Sequence, residues 1–266
     1  MASIYAGKDA GAVQVVASAD GRFAFFSNEQ TSSIAVISLN LRAEDTAPNL
    51  AMVGAIGVDP GPVGLAISPD GRKLFATSQI ARRLPKRCDG APEGSLSIVD
   101  VATAESHPRS VAVSSVAAGC QPVRVAVSPN GESVWVTARG DDQLEVFDAK
   151  SLLDDAAHAL LAKASVGSAP VGLLVTADGK FILVANSNRF DLSARHSTVS
   201  ILDAQAVRNG RSAVINTVET GGFPRELRES PRRDAIYLTN YTSGTVQVLA
   251  EPGAPEAGRA TTPLPY

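Results

Sequence analysis

The chain lacks most of the sequence features of membrane proteins and nucleic-acid-binding proteins. No run of about eighteen apolar residues occurs in it, so we expect no membrane span. A net charge of −3 and a pI near 5.7 give no overall basic surface, which argues against a nucleic-acid partner. One local basic cluster, residues 82–87, is typical of a solvated loop.

The common catalytic motifs are absent as well. The sequence has no Gly-x-Ser-x-Gly elbow, no His-Glu-x-x-His pair and no Gly-x-x-x-x-Gly-Lys loop. These absences argue against the commonest nucleophilic, zinc and nucleotide-dependent mechanisms. Asp141 and Asp142 have no further oxygen donors at the spacing that calcium needs. We therefore expect neither a metal nor a cofactor.

The chain does contain one pattern in five copies. Each copy is an apolar run, a turn that is Asp-Gly or Asn-Gly in the first four copies, and a second apolar run. The copies occupy residues 13–21, 63–71, 123–131, 171–179 and, in degenerate form, 225–233. A repeat of roughly 50 residues that contains several strands is typical of a β-propeller blade. The Asp-Gly step predicts a two-residue hairpin turn between the first two strands, A and B.

A third strand, C, and a looser fourth strand, D, follow in most copies. Strand C ends on Asp in three copies, which predicts a cap on the next turn. The pattern predicts an all-β propeller of four-stranded antiparallel blades in a single domain, residues 1–250. The blades lie near residues 12–58, 62–117, 122–167, 170–220 and 224–250.

The two ends differ from the middle. Residues 251–266 are rich in Pro and Gly, and we predict that they are disordered. The fifth copy has no strand D, whereas residues 4–7 match the end of one. Either the amino-terminal strand closes a five-bladed ring, or the chain is part of a larger one. Because four residues are few against the usual strand length of about 5 to 6, we favour an incomplete larger ring.

Residues 62–78, Pro-Val-Gly-Leu-Ala-Ile-Ser-Pro-Asp-Gly-Arg-Lys-Leu-Phe-Ala-Thr-Ser, resemble the YVTN-type β-propeller repeat. The run from Tyr237 to Asn240, Tyr-Leu-Thr-Asn, is close to that motif itself. The resemblance covers residues 12–250. It implies a ring of seven blades and an extracytoplasmic binding or surface-associated module. A lactonase-like branch of such propellers hydrolyses sugar-phosphate lactones.

The two cysteines are informative about the cellular compartment of the protein. Cys88 lies in the long B–C connection of blade 2, and Cys120 lies in the connection from blade 2 to blade 3. Both connections lie on the same face, so a disulfide is geometrically reasonable and would indicate a secreted or periplasmic protein. Two unpaired thiols remain the alternative. Residues 1–8 lack the basic and apolar segments of a secretory signal, which by itself favours the cytoplasm.

Candidate binding residues lie on the same face. Long B–C connections, residues 79–94 and 187–198, decorate it in blades 2 and 4. Strand A lines the channel of a propeller, so Arg124, Arg225 and Glu226 are expected near its mouth. With Arg139 and Arg189 from the B–C connections, they could bind a phosphate or a carboxylate. Ion pairing within the ring is an equal alternative.

Histidine is scarce, and one of the three is a candidate for catalysis. His107 and His158 are predicted in exposed C–D connections on the opposite face. His196 lies in the long loop of blade 4, where imidazole could transfer a proton, although an isolated loop histidine is more often ordinary surface.

Two functions follow. The favoured one is a monomeric, non-catalytic scaffold whose B–C and D–A loops bind a small anionic ligand or a protein partner. The alternative is a lactonase-like hydrolase of a small anionic sugar lactone, with the arginines holding the anion and His196 or a carboxylate activating water.

Overall fold

Runs of β-branched and aromatic residues form antiparallel strands in a computed structural model of the chain, which describes residues 9–40, 49–84, 86–189 and 197–253. The strands pair into five sheets arranged as the blades of a propeller. The predicted fold and the five copies are therefore confirmed. A ring of seven blades remains a prediction, and residues 1–8 and 254–266 lie outside the described residues.

Blades 1 to 3 each have four strands that pair in sequence order. Blade 1 comprises β1 (Ala12–Ala17), β2 (Phe23–Asn28), β3 (Ser33–Asn40) and β4 (Asn49–Gly57). Blade 2 comprises β5 (Pro62–Ile67), β6 (Lys73–Ser78), β7 (Ser95–Asp100) and β8 (Val113–Ala117). Blade 3 comprises β9 (Pro122–Val127), β10 (Ser133–Ala138), β11 (Gln143–Asp148) and β12 (Leu160–Ser165).

Blade 4 has four strands and blade 5 has three in the described part of the chain. Blade 4 comprises β13 (Pro170–Val175), β14 (Phe181–Asn186), β15 (Ser197–Asp203) and β16 (Val214–Thr220). Blade 5 comprises β17 (Pro224–Glu229), β18 (Ala235–Asn240) and β19 (Thr245–Ala250). Short helices α1 (Val101–Ser106), α2 (Ser151–Asp154) and α3 (Ala204–Arg208) occupy C–D connections.

The A–B connection is a four-residue loop, so the predicted two-residue turn is wrong. In blade 1 the Ser18 amide donates to the Phe23 carbonyl at 2.9 Å, which leaves four residues between them. Asp20 Oδ1 accepts from Ser18 Oγ at 2.6 Å and from the Arg22 amide at 3.0 Å. Only Gly21 takes a positive φ, 69°, because the aspartate side chain closes the rest of the loop.

The predicted cap at the end of strand C is confirmed. Asp100 accepts from the Thr103 amide at 3.0 Å, and Asp203 accepts from the Ala206 amide at 2.7 Å, at the starts of α1 and α3. His107 and His158 lie in exposed C–D connections, as expected. In the described residues no helix is long and apolar enough to cross a membrane.

Each pair of successive blades shares an apolar core. One strand-B residue and two strand-C residues of each blade contact the next blade. In blades 1 to 4 these three positions are at most 7% exposed: Phe25, Ile34 and Val36; Phe75, Leu96 and Ile98; Trp135, Leu144 and Val146; Leu183, Val199 and Ile201. Their equivalents in blade 5, Tyr237, Val246 and Val248, are 45%, 63% and 59% exposed. Within the described ranges, no core cluster contains buried residues of both blade 1 and blade 5.

Buried hydroxyl groups connect neighbouring blades near the channel. Thr77 Oγ1 accepts from the Gly64 amide at 2.9 Å and donates to the Val123 carbonyl of the next blade at 2.8 Å. A Cβ on Gly64 would collide with the Val123 carbonyl oxygen and with Thr77 Oγ1. The close approach of the blades therefore requires glycine here, and strand A is fixed next to the channel.

Candidate functional site

A cavity of about 330 Å³ lies at the mouth of the channel, and all five blades line it. Two sets of repeat-equivalent positions supply most of its lining. The strand-A set, the second residue of each strand A, is Val13, Val63, Val123, Val171 and Arg225. The strand-B set, the residue after each strand B, is Glu29, Gln79, Arg139, Ser187 and Tyr241, of which all but Ser187 line the cavity. Arg124, Arg189 and Phe223 complete the lining.

The structure thus brings together four of the predicted binding residues, Arg124, Arg139, Arg189 and Arg225. Among the residues that the structure describes, four arginines and one glutamate, Glu29, are the charged groups of this lining. Such an excess of positive charge attracts anions.

A chain of hydrogen bonds runs along the strand-B set from blade 1 to blade 3. Gln79 Nε2 donates to Glu29 Oε1 at 2.7 Å, and Arg139 Nη2 donates to Gln79 Oε1 at 2.7 Å. Arg139 also donates to Gln121 Oε1 at 3.1 Å. Burial lowers the pKa of Arg139, and the positive charge of Arg189 lowers it further. The lowered pKa means that a bound anion would stabilise this charge.

Arg124 is the most buried of the four arginines, and Glu226 is its partner. Arg124 Nη2 lies 3.5 Å from Glu226 Oε2, and the Arg124 side chain is 10% exposed. Glu226 Oε1 also accepts from Arg228 Nη1 at 2.8 Å. Burial lowers the pKa of Arg124, Glu226 opposes this shift, and Arg225 adds to it. Arg124 Nε is buried and has no hydrogen-bond partner among the described residues.

The sequence left two alternatives open for these arginines, anion binding and ion pairing within the ring. The structure contains features of both. An ion pair within the ring, between Arg124 and Glu226, occupies part of Arg124. In the described lining one glutamate lies among four arginines, which is an excess of positive charge.

Two aromatic residues of blade 5 contact Arg189 and Arg225, the other two arginines of the lining. The rings of Phe223 and Tyr241 meet edge to face, with centroids 5.7 Å apart and planes at 82°. Arg189 lies 5.7 Å from the centre of the Phe223 ring, and Arg225 lies 5.6 Å from that of Tyr241. These distances fit cation–π contacts, which orient the guanidinium planes at the mouth.

The residue before each strand A takes a left-handed conformation. It is Gly11, Gly61, Gln121, Ala169 or Phe223, with φ between 49° and 70°. In every blade its carbonyl accepts from the amide of the strand-B-set residue, for example Tyr241 to Phe223 at 2.9 Å. The left-handed region is costly for residues other than glycine, and strain of this kind concentrates at functional sites.

The disulfide between Cys88 and Cys120 is present, with Cα atoms 5.6 Å apart. It ties the long B–C connection of blade 2 to the segment beside the cavity. The Gly140 amide donates to the Cys120 carbonyl at 2.8 Å, and the Arg139 amide donates to the Gln121 carbonyl at 3.3 Å. The bridge therefore supports the backbone that carries Arg139.

His196, the candidate base, lies outside the described residues, as does most of the 187–198 insertion. In the described ranges, no group of three or more His, Cys, Asp or Glu is arranged to hold a metal.

A second depression, of about 590 Å³, lies on the opposite face between blades 1 and 2. Its lining carries charges of both signs, and Lys73 Nζ lies 3.2 Å from Asp100 Oδ2. That lining has no excess of positive charge, whereas the described lining of the channel mouth has four arginines and one glutamate.

The sequence-based prediction missed Glu29, Gln79, Phe223 and Tyr241. For the strand-B set the signal was present, because its residue lies nine positions after the turn residue Asp20, Asp70, Asn130, Asp178 or Arg232 in every copy. Phe223 precedes the proline that begins strand A, and the sequence carries no signal for its left-handed conformation.

No protein-family model and no curated protein matches the chain. Solved structures do. The chain resembles Kuenenia stuttgartiensis hydrazine synthase with a TM-score of 0.66 and 18% identity, over 89% of this chain and 57% of that one. It resembles a functionally unknown protein from Desulfotomaculum acetoxidans DSM 771 with a TM-score of 0.62 and 16% identity, over 90% and 68%.

A third similar structure is a "putative 6-phosphogluconolactonase" from Bacteroides uniformis ATCC 8492, with a TM-score of 0.57 and 15% identity, over 89% of this chain and 80% of that one. The fold is a β-propeller. At these identities the likeness shows the fold alone. The chain spans 57% of the hydrazine synthase chain, so it matches part of that protein.

Proposed function

We propose that the chain is a non-catalytic β-propeller that binds a small anionic ligand at the channel mouth. The observation that carries this proposal is the convergence of four arginines from blades 3, 4 and 5 on one cavity, with a single glutamate among its described lining residues. Guanidinium groups bind carboxylates and phosphates by charge-assisted hydrogen bonds. Held by neighbouring residues, they need little reordering when a ligand arrives.

Arg124 supports the same proposal. Its Nε is buried without a partner in the described structure, and an unsatisfied buried donor costs about 1 to 3 kcal/mol. A bound oxyanion could satisfy such a donor. Arg225 and Arg189 lie over aromatic rings, so their planes are already oriented.

Binding is favoured over catalysis by the chemistry of the lining. In the described part of the cavity the only acidic side chain is Glu29, whose Oε1 accepts a hydrogen bond from Gln79. A hydrolase needs a base beside the bound carbonyl group.

A lactonase-like hydrolase of an anionic sugar lactone is the alternative. The arginine-lined mouth and the likeness to the Bacteroides uniformis structure favour it. In that mechanism the arginines hold the anion, and His196 or a carboxylate activates water. A colorimetric assay with sugar-phosphate lactones separates the two functions: we expect no turnover above the buffer rate, and turnover lost in His196→Ala would establish the alternative.

An extracytoplasmic location is part of the proposal. The disulfide supports it, because such bonds persist in oxidising compartments and are rare in reducing ones. Native protein isolated from its own cells with both thiols free would contradict this location.

The binding proposal predicts that Arg225→Gln weakens phosphate binding by about 10- to 100-fold, the value of one charged hydrogen bond. Isothermal titration at low salt measures it. Arg211→Gln is the matched control, because Arg211 is an exposed arginine in the C–D connection of blade 4, on the opposite face. Equal affinities in Arg225→Gln and wild type, or an equal loss in Arg211→Gln, would contradict the proposal.

At Glu226 we expect the opposite effect, a gain in phosphate affinity. Its carboxylate lies 3.5 Å from Arg124 and competes with a ligand for that guanidinium. Glu226→Gln keeps the shape and removes the charge, so phosphate affinity should rise by up to about fivefold, since partly exposed ion pairs contribute below about 1 kcal/mol. The same titration measures it, and a weaker affinity would show that Glu226 helps to bind the ligand.

A further inference from the structure

The cavity at the channel mouth has an apolar part and a charged part. Its floor is a cluster of three buried valines, Val63, Val123 and Val171, against which Val13 and Phe223 pack. Its rim carries the arginines, Glu29 and Gln79. The three valines are at most 8% exposed, so the apolar surface that a ligand would meet comes mainly from Val13, Phe223 and Tyr241, and it points to a ligand with an apolar body.

Blade 5 carries aromatic residues at two positions where the other blades carry none, and aromatic residues suit a ligand with an apolar body. At the strand-B position, where blades 1 to 4 carry polar residues, blade 5 carries Tyr241, which is 65% exposed. At the position before strand A, where blades 1 and 2 carry glycine, it carries Phe223 with φ of 54°. The left-handed conformation recurs in every blade, on Gln121 and Ala169 as well, so the feature particular to blade 5 is the aromatic side chain at this position.

The valine floor also limits the kind of apolar body. Sugar hydroxyl groups lose water on entering the cavity and need hydrogen-bond partners, which valine side chains do not provide. An aromatic ring needs none, and it stacks favourably on aromatic edges and on guanidinium planes.

We propose that the ligand is an aromatic carboxylate, with its carboxylate between Arg189 and Arg225 and its ring over the valine floor against Phe223. This proposal rests on the proposed function and names its ligand class. The ring would contact Phe223 while the two arginines, held by Phe223 and Tyr241, bind the charge. The cavity, about 330 Å³, is the size of a small ligand site.

Isothermal titration with four probes tests the ligand class. 2-Naphthoate has both parts, acetate and inorganic phosphate have only the charge, and 2-naphthalenemethanol has only the ring. We expect 2-naphthoate to bind at least about tenfold more tightly than each of the others, because ring burial and charge pairing both contribute. If phosphate or acetate binds as tightly as 2-naphthoate, the ligand class is wrong and the proposed function stands. If none of the anions binds, both are wrong.

Two variants test whether the aromatic ring of the ligand contacts Phe223. Phe223→Gly relieves the left-handed backbone and removes the side chain, and Phe223→Leu retains an apolar side chain. Both should lower 2-naphthoate affinity about tenfold more than they lower acetate affinity, because loss of the contact between Phe223 and Arg189 affects both anions whereas loss of the ring contact affects 2-naphthoate alone. Ala169→Gly is the matched control at the equivalent position in blade 4 and should leave both affinities unchanged. Unchanged 2-naphthoate binding in both Phe223 variants would overturn the proposal.

Discussion

Replacing Trp135 by alanine is expected to lower the free energy of unfolding by about 3 to 5 kcal/mol. Trp135 is 1% exposed and belongs to the core between blades 3 and 4. Its removal would leave a large cavity among strands that are fixed by their ladders. Tyr237 occupies the equivalent position in blade 5 and is 45% exposed, so Tyr237→Ala should cost less than about 1 kcal/mol.

Urea denaturation of the two variants and the wild type measures this difference. Because both substitutions remove an aromatic side chain from the same place in the repeat, they differ mainly in whether another blade covers that place. Equal losses would show that the blade 5 face is covered in solution. That result would contradict the exposed face of Tyr237, Val246 and Val248.

The second large effect is expected at the disulfide. The cysteines are separated by 32 residues, and in the chain-entropy model a loop of this length stabilises the folded state by about 3 to 4 kcal/mol. The double variant Cys88→Ser and Cys120→Ser should lose that amount in urea denaturation. Val99→Ala, in the same blade but remote from the bridge, controls for general weakening of blade 2.

The bridge also supports the binding site. Gln121 follows Cys120 directly, and both its carbonyl and its side chain bind Arg139. The double cysteine variant should therefore bind phosphate several-fold more weakly under conditions where it remains folded, as judged by circular dichroism. If its stability and affinity both match those of the wild type, the bridge holds neither the loop nor the site.

The sequence was sufficient to predict the architecture, because each copy of the repeat contains the local signals for its own strands and connections. The apolar strands and the aspartate that ends strand C recur along the repeat, and they form the expected strands and caps. The turn was predicted at the right place but with the wrong type, since Asp-Gly suggested a two-residue turn. The side-chain bonds of Asp20 instead close a four-residue loop.

The site was predicted only in part for a physical reason. Arg124, Arg139, Arg189 and Arg225 were found because charge and position along the repeat suffice to place them. Phe223 was not found because the residue before a proline is expected to be extended.

Tertiary bonds override that preference, as Tyr241 donates its amide to the carbonyl of a left-handed Phe223. The exposed face of blade 5 was also beyond prediction, since its residues are as apolar as their buried equivalents.

Anomalous diffraction from a crystal soaked in selenate tests the central claim most directly. Selenate is a small oxyanion whose selenium is located without reference to the protein. We expect the strongest selenium peak inside the channel-mouth cavity, within hydrogen-bond distance of at least two of Arg124, Arg139, Arg189 and Arg225. Selenium peaks elsewhere on the surface with none in this cavity would contradict anion binding at the channel mouth.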